Sequence, residues 1–247
     1  MDSTYQAMVA RRREEILERF YAALDRAGRP HDAAKLMGVS KTVGVDEVVC
    51  AIKAGYRYFG ENRPQELTRK IAGLAQVDGL PEVRFDMIGN LQTNKINAVL
   101  GTAHTIHSVS SLHLAESISS RAERRMEAGE MTSAQPVFLE VNVSGEASKS
   151  GFSPDEVRAC MPQLLDLKGL AIQGLMTMAP RGDNACAHRT FEGLRLLGDE
   201  LNETYAGDVK LTELSCGMSE DFEVALEEGS TLVRLGRVVF SPEFAVE

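Results

Sequence analysis

The stretch Leu36-Met37-Gly38-Val39-Ser40-Lys41 decides how this chain is read. It is an apolar strand closed by a lysine, and strand alternation puts Lys41 on the face of Met37 and Val39. The carboxyl end of a first strand is the mouth of a barrel or sheet, where α/β folds place their chemistry. A partly desolvated ammonium there loses its proton more readily and can condense with an aldehyde to a Schiff base. The plain alternative is a lysine that carries its charge out of a strand end into water.

Outward from this strand, extended and helical runs alternate with little slack. The pattern predicts strands over 34–41, 56–61, 83–89, 103–109, 136–143, 170–178, 210–215 and 231–240. Between them it predicts helices over 45–54, 64–76, 92–100, 111–128, 154–167, 184–204 and 220–228. Ser153-Pro154 is a helix-start signal. Ahead of the first strand, Ile16, Leu17, Phe20 and Leu24 mark an amphipathic helix that ends near Gly28-Arg29-Pro30. Its Arg11-Arg12-Arg13 run reads as a solvated face. Eight strands, seven intervening helices and this extra helix predict an α/β fold: one (β/α)8 TIM-type barrel domain over 1–247, with helix 1–28 packed on the barrel. No GxGxxG follows the first strand, which disfavours an open doubly wound sheet.

Bulk composition narrows the function classes. Charged residues make up 26% and apolar residues 43%, an ordinary globular balance. The net charge of −9 argues against nucleic acid or an anionic membrane as main partner. No apolar stretch approaches membrane-spanning length. Cys50, Cys160, Cys186 and Cys216 form no CxxC or metal spacing and read as reduced thiols of a cytoplasmic protein. His104 and His107 fall on opposite strand faces, so a metal site is not expected. With no apolar stripe asking for a partner, the chain reads as a monomer.

The second informative segment is Ser215-Cys216-Gly217-Met218-Ser219-Glu220-Asp221, a turn from strand seven into a helix. Ser219 is the expected N-cap, and Glu220 and Asp221 suit the first helical turn. Loops after strands seven and eight of barrels commonly bind phosphate. Gly236 would let a ligand approach the backbone, and Arg234 and Arg237 stand beside it. If Val233 and Leu235 face the helices, Arg234 points into the barrel mouth. Glu140 and Asn142 fall where barrel interiors usually hold Val or Leu; Glu140 is expected to pair with an inward arginine, while Asn142 stays open. Asn62 could bind a ligand or cap the following helix.

Several stretches then line up together. They are Val39-Ser40-Lys41-Thr42, Phe59-Gly60-Glu61-Asn62 with Gln65-Glu66, Ile88-Gly89-x-Leu91-Gln92-x-Asn94-Lys95, His104-Thr105-Ile106, Ser148-Lys149-Ser150-Gly151, Gly174-Leu175-Met176-Thr177, Gly217-Met218-Ser219 and Val233-Arg234-x-Gly236. In this order, over nearly the whole chain, they resemble the pyridoxal-phosphate homeostasis proteins, the YggS/PROSC family. The resemblance implies a fold-type III barrel similar to the N-terminal domain of alanine racemase, with pyridoxal 5'-phosphate as cofactor. It implies that Lys41 carries the cofactor as an aldimine and that Ser219, Gly236 and the backbone of Arg237 hold the phosphate. Arg234 would face the pyridine nitrogen, with Asn62 and Met176 lining the pocket.

The resemblance further implies a cofactor-holding protein of vitamin homeostasis without clear catalytic turnover, serving pyridoxal-phosphate-dependent apoenzymes. An arginine cannot readily protonate the ring nitrogen, so the electron sink is weak. Racemases of this fold also use a tyrosine from a further β domain, and the chain ends soon after strand eight. The alternatives are a slow pyridoxal-phosphate-dependent racemase or lyase, or a barrel for another phosphorylated metabolite. Tyr56 and Tyr58 on strand two read as core or rim residues. Three positions depart from the family pattern: Asp86 where histidine is usual, Arg237 where a small hydroxyl residue is common, and Phe240-Ser241 without the usual glycine.

Overall fold

Parallel pairing carries the chain once around a closed barrel. The computed structural model describes residues 3–146 and 149–244. Eight strands pair in chain order and the last returns to the first. They are β1 Lys35–Val39, β2 Tyr58–Glu61, β3 Arg84–Met87, β4 Ile106–Val109, β5 Gln135–Glu140, β6 Leu170–Met176, β7 Glu213–Ser215 and β8 Leu232–Leu235. The closing register sets Met37 beside Arg234 and Gly38 beside Leu235. Around the strands run α1 Ser3–Arg26, α2 Val45–Ala54, α3 Pro64–Leu74, α4 Leu112–Glu127, α5 Pro154–Leu165, α6 Asn184–Thr204, α7 Phe222–Glu227 and α8 Arg237–Phe240. The (β/α)8 barrel expected from the alternation is the fold found.

Local chemistry explains most boundaries. The Ser153 hydroxyl accepts from the Glu156 N–H at 3.2 Å while the Glu156 carboxylate accepts from the Ser153 N–H at 2.7 Å, a reciprocal cap on α5. Three segments differ from expectation. The run predicted helical over 92–100 is a 3-10 turn, Thr93–Ala98, in which only Ile96 is buried. Too few apolar anchors, and two asparagines that compete for backbone groups, keep it short. The helix expected from 220 begins at Phe222. The last strand stops at Leu235, where Gly236 (φ −112°, ψ −86°) bends the chain into the single turn of α8.

Two apolar assemblies hold the layers. One lies between strands and helices. The other fills the barrel with Met37, Phe138, Met176 and Leu232, flanked by Tyr58, Ile88 and Met178. Each fully buried side chain of this kind stabilises the fold by roughly 1.5–3 kcal/mol. α1 turns Val9, Ile16, Phe20, Ala23 and Leu24 inward and packs on α2 and α7. Its arginine run is not simply a solvated face. Arg12 is buried and donates to the carbonyls of Ser241, Pro242 and Phe244, and Arg13 lies over the Tyr56 ring. Carbonyls past the end of α8 need donors, and the arginine fork supplies several at once.

Candidate functional site

The carboxyl ends of the strands surround a cavity of about 300 Å3. Lys41, Asn62, Met176, Ser219, Arg234, Gly236 and Arg237 all line it, together with Val39, Ile88, Asp221 and the segment Pro180–Asn184. Sequence separations of up to 198 residues are thus brought to one mouth, because every strand delivers its last residues to the same end.

Lys41 stands just past β1 and is exposed, not desolvated. Its backbone is held from behind. The buried Lys70 ammonium of α3 donates to the Ser40 carbonyl at 2.5 Å and to the Glu61 carboxylate. Glu61 also accepts from the Ser40 hydroxyl at 2.8 Å and from the Asn62 N–H at 3.1 Å. This lock ties the ends of β1 and β2 together and sets Lys41 and Asn62 side by side. Asn62 does not cap α3, because that position belongs to Arg63. At Gly89 a Cβ would come within 2.4 Å of the Asn62 carbonyl, so only glycine permits this approach of the two loops.

Opposite lies Arg234, pointing into the barrel as the alternation of β8 predicts. It is 5% exposed. Its Nη1 donates to the carbonyl and hydroxyl of Ser215, both at 2.6 Å, and Nη2 donates to the Thr177 carbonyl at 3.1 Å. No carboxylate among the described residues forms an ion pair with it. Burial lowers its pKa, and the charges of Cys216, Asp221 and Glu140 only partly offset that. The expected pairing of Glu140 with an inward arginine is therefore not found. Glu140 accepts instead from the Ser150 hydroxyl at 2.6 Å, and burial raises its pKa. The stretch 149–152 of the loop after β5 folds back over that strand and brings a neutral donor, the Ser150 hydroxyl, to Glu140. Asn142 shapes that loop, accepting from Gly145 N–H and donating to the Glu146 carbonyl. Ser148 lies outside the described residues.

The loop after β7 forms the remaining wall. Gly217 adopts φ +94°, and a Cβ there would meet Ala225 at 2.6 Å. Ser219 is not the N-cap. Asp221 takes that place and accepts from the Met218 N–H at 2.5 Å. A carboxylate reaches back across the turn, and Ser219 within that turn lines the cavity. Burial raises the pKa of Asp221. Arg237 stands at the rim, 3.5 Å from Glu220 and over the Phe244 ring.

Sequence reasoning named Asp86 and His107 but not their place beneath Arg234. His107, fully buried, contacts the Ser215 hydroxyl at 3.0 Å through Nδ1 and Asp86 at 3.1 Å through Nε2. Asp86 in turn receives Arg84 at 2.8 Å. A signal existed: β3 and β4 are neighbours, and each carries a titratable residue at an inward position.

The residue types suit a small phosphorylated carbonyl compound. An amine stands at the rim, a buried guanidinium lacks an acidic partner, and a hydroxyl sits in a glycine-bounded loop. At Gly236 a Cβ would meet no protein atom nearer than 3.5 Å, so the bare backbone is not demanded by its neighbours. The family model of the alanine racemase N-terminal domain matches residues 15–243. A pyridoxal phosphate homeostasis protein of Aquifex aeolicus is 40% identical over 230 residues, 93% of this chain and 96% of that protein.

The chain belongs to the pyridoxal phosphate homeostasis protein family. Among solved structures, an unknown protein from Bifidobacterium adolescentis superposes with TM-score 0.88 at 38% identity, covering 97% of both chains. PipY of Synechococcus elongatus, with pyridoxal phosphate bound, superposes with TM-score 0.79 at 33% identity, covering 94% of this chain and 100% of PipY. In this structure Asp86 is the acceptor that orders Arg84 and His107.

Proposed function

We propose that this chain binds pyridoxal phosphate in the cavity at the barrel mouth and holds it without turnover, as part of vitamin homeostasis. The observation that carries the reading is the pairing of an amine at the rim with a buried guanidinium that lacks a carboxylate. Lys41 is the covalent anchor. Ser219 and the Gly236–Arg237 backbone take the phosphate, Arg234 the ring nitrogen, and Asn62 and Met176 the flanks. The cofactor supplies an electron sink when bound; an arginine, unable to give up its proton, keeps that sink weak. The protein is proposed to act as one cytoplasmic domain, a monomer, that serves apoenzymes. Four free cysteines support the compartment. No helix among the described residues is long and apolar enough to cross a membrane.

The test is an ultraviolet–visible spectrum with pyridoxal phosphate before and after borohydride, with mass mapping of the reduced lysine. A visible band that reduces onto Lys41, and is lost in Lys41→Ala, is expected. No band, or label scattered over surface lysines, overturns the reading. Asp221, a half-buried carboxyl with raised pKa on the cavity wall, favours a second reading, slow amino-acid turnover. Loss of α-deuterium from amino acids into buffer would establish that activity.

A further inference from the structure

The polar chain beneath Arg234 has a direction. Burial lowers the pKa of His107, against the opposing pull of Asp86, so the ring is neutral. Asp86 is buried too, yet His107 and Arg84 outweigh that burial and keep it ionised. A carboxylate has no proton to give, so Nε2 of His107 must carry the hydrogen and donate to Asp86. The other tautomer would set a nitrogen lone pair against a carboxylate. Nδ1 is then an acceptor, and the Ser215 hydroxyl, 3.0 Å away, donates to it. With its proton spent, the Ser215 oxygen turns its lone pairs to the Arg234 Nη1–H at 2.6 Å. Every hydrogen from Arg234 to Asp86 is thereby assigned.

We infer that Asp86 and His107 are positioning residues for Arg234: they fix the Ser215 hydroxyl as an acceptor and so hold the guanidinium in the orientation it presents to the cavity. Neither residue lines the cavity; they act only through Ser215. The Ser215 hydroxyl lies between His107 on one side and Arg234 on the other, so the direction of its proton is set between these two groups. Arg84 anchors the far end, binding Asp86 through both Nε and Nη2 and so preventing the carboxylate from turning away.

The inference rests on the cofactor reading for its effect on a ligand, but the hydrogen assignment can be checked without one. Nitrogen-15 spectra of the ligand-free protein at neutral pH are expected to show His107 as the Nε2–H tautomer. An imidazolium, or the Nδ1–H form, overturns the assignment. In protein loaded with pyridoxal phosphate, Asp86→Asn is expected to shift the visible band and speed cofactor loss about tenfold, as for residues in one hydrogen-bond network. Ser215→Ala, which keeps the carbonyl contact and is the smaller structural change, should do the same. Wild-type spectrum and release in a folded Ser215→Ala would overturn the positioning role. A wild-type protein that takes up no cofactor would instead sink the cofactor reading, and the ring nitrogens would still decide the relay.

Discussion

Lys70 and Arg234 are both buried cations near the same barrel mouth, and the protein keeps them in opposite ways. Lys70 touches the Glu61 carboxylate and the Ser40 carbonyl, and its side chain is fully shielded. Among the described residues Arg234 donates to neutral oxygens alone, those of Ser215 and Thr177. A buried charge is costly unless it is paired. The closed pair behind Lys41 therefore serves the fold, whereas Arg234 lines the cavity with a charge that no acid among the described residues meets. Two cations of similar burial are told apart by their partners, not by their depth.

That contrast can be broken most sharply at Lys70. Lys70→Met strands the Glu61 carboxylate and is expected to cost about 3–5 kcal/mol in denaturant unfolding. Combining it with Glu61→Gln should recover most of that loss; no recovery would mean the pair is not the closed unit described. Arg234→Met strands no carboxylate. Its cost is expected to be smaller, about 1–3 kcal/mol for the carbonyls left without donors. Its larger effect should be on pyridoxal phosphate, with faster release and an altered visible spectrum. Equal destabilisation by both variants would erase the distinction.

The smallest effect concerns pH. His107 is held neutral when folded, while the unfolded chain takes up a proton below about pH 6.5, the ordinary histidine value. The unfolded state then binds more protons, so stability falls as pH drops below that value, by at most about 1.4 kcal/mol per pH unit. His107→Gln should remove this share of the slope. His104, whose pKa burial also lowers, remains in both proteins, so the difference isolates His107. An unchanged slope would show that the group behind Arg234 is not kept neutral by the fold.

The barrel was legible because its signal is periodic: apolar runs alternate with amphipathic ones, and closure needs no further information. The inward aim of Arg234 followed from alternation with Val233 and Leu235. What stayed hidden depends on register between strands far apart in sequence. His107 meets Ser215 across 108 residues, and no local pattern around either announces it. Glu140 went to Ser150 because a loop folds back, a matter of tertiary path. Arg237-Val238-Val239-Phe240 reads as strand by composition, yet it winds into a helical turn because Gly236 redirects the backbone. Ser219 lost the cap to Asp221 for a related reason, since a carboxylate two residues on reaches the same turn.

The grip of Arg12 on the segment after α8 also sets an order of events in time. The partners are 229 to 232 residues apart, and β1 likewise waits for β8 to close the sheet. At ribosomal rates of 5–20 residues per second, α1 emerges roughly 10–50 s before the carbonyls it clasps. Arg234, Gly236 and Arg237 are made just ahead of those carbonyls. The mouth of the barrel therefore cannot close on a nascent chain until the residues that Arg12 clasps have been made.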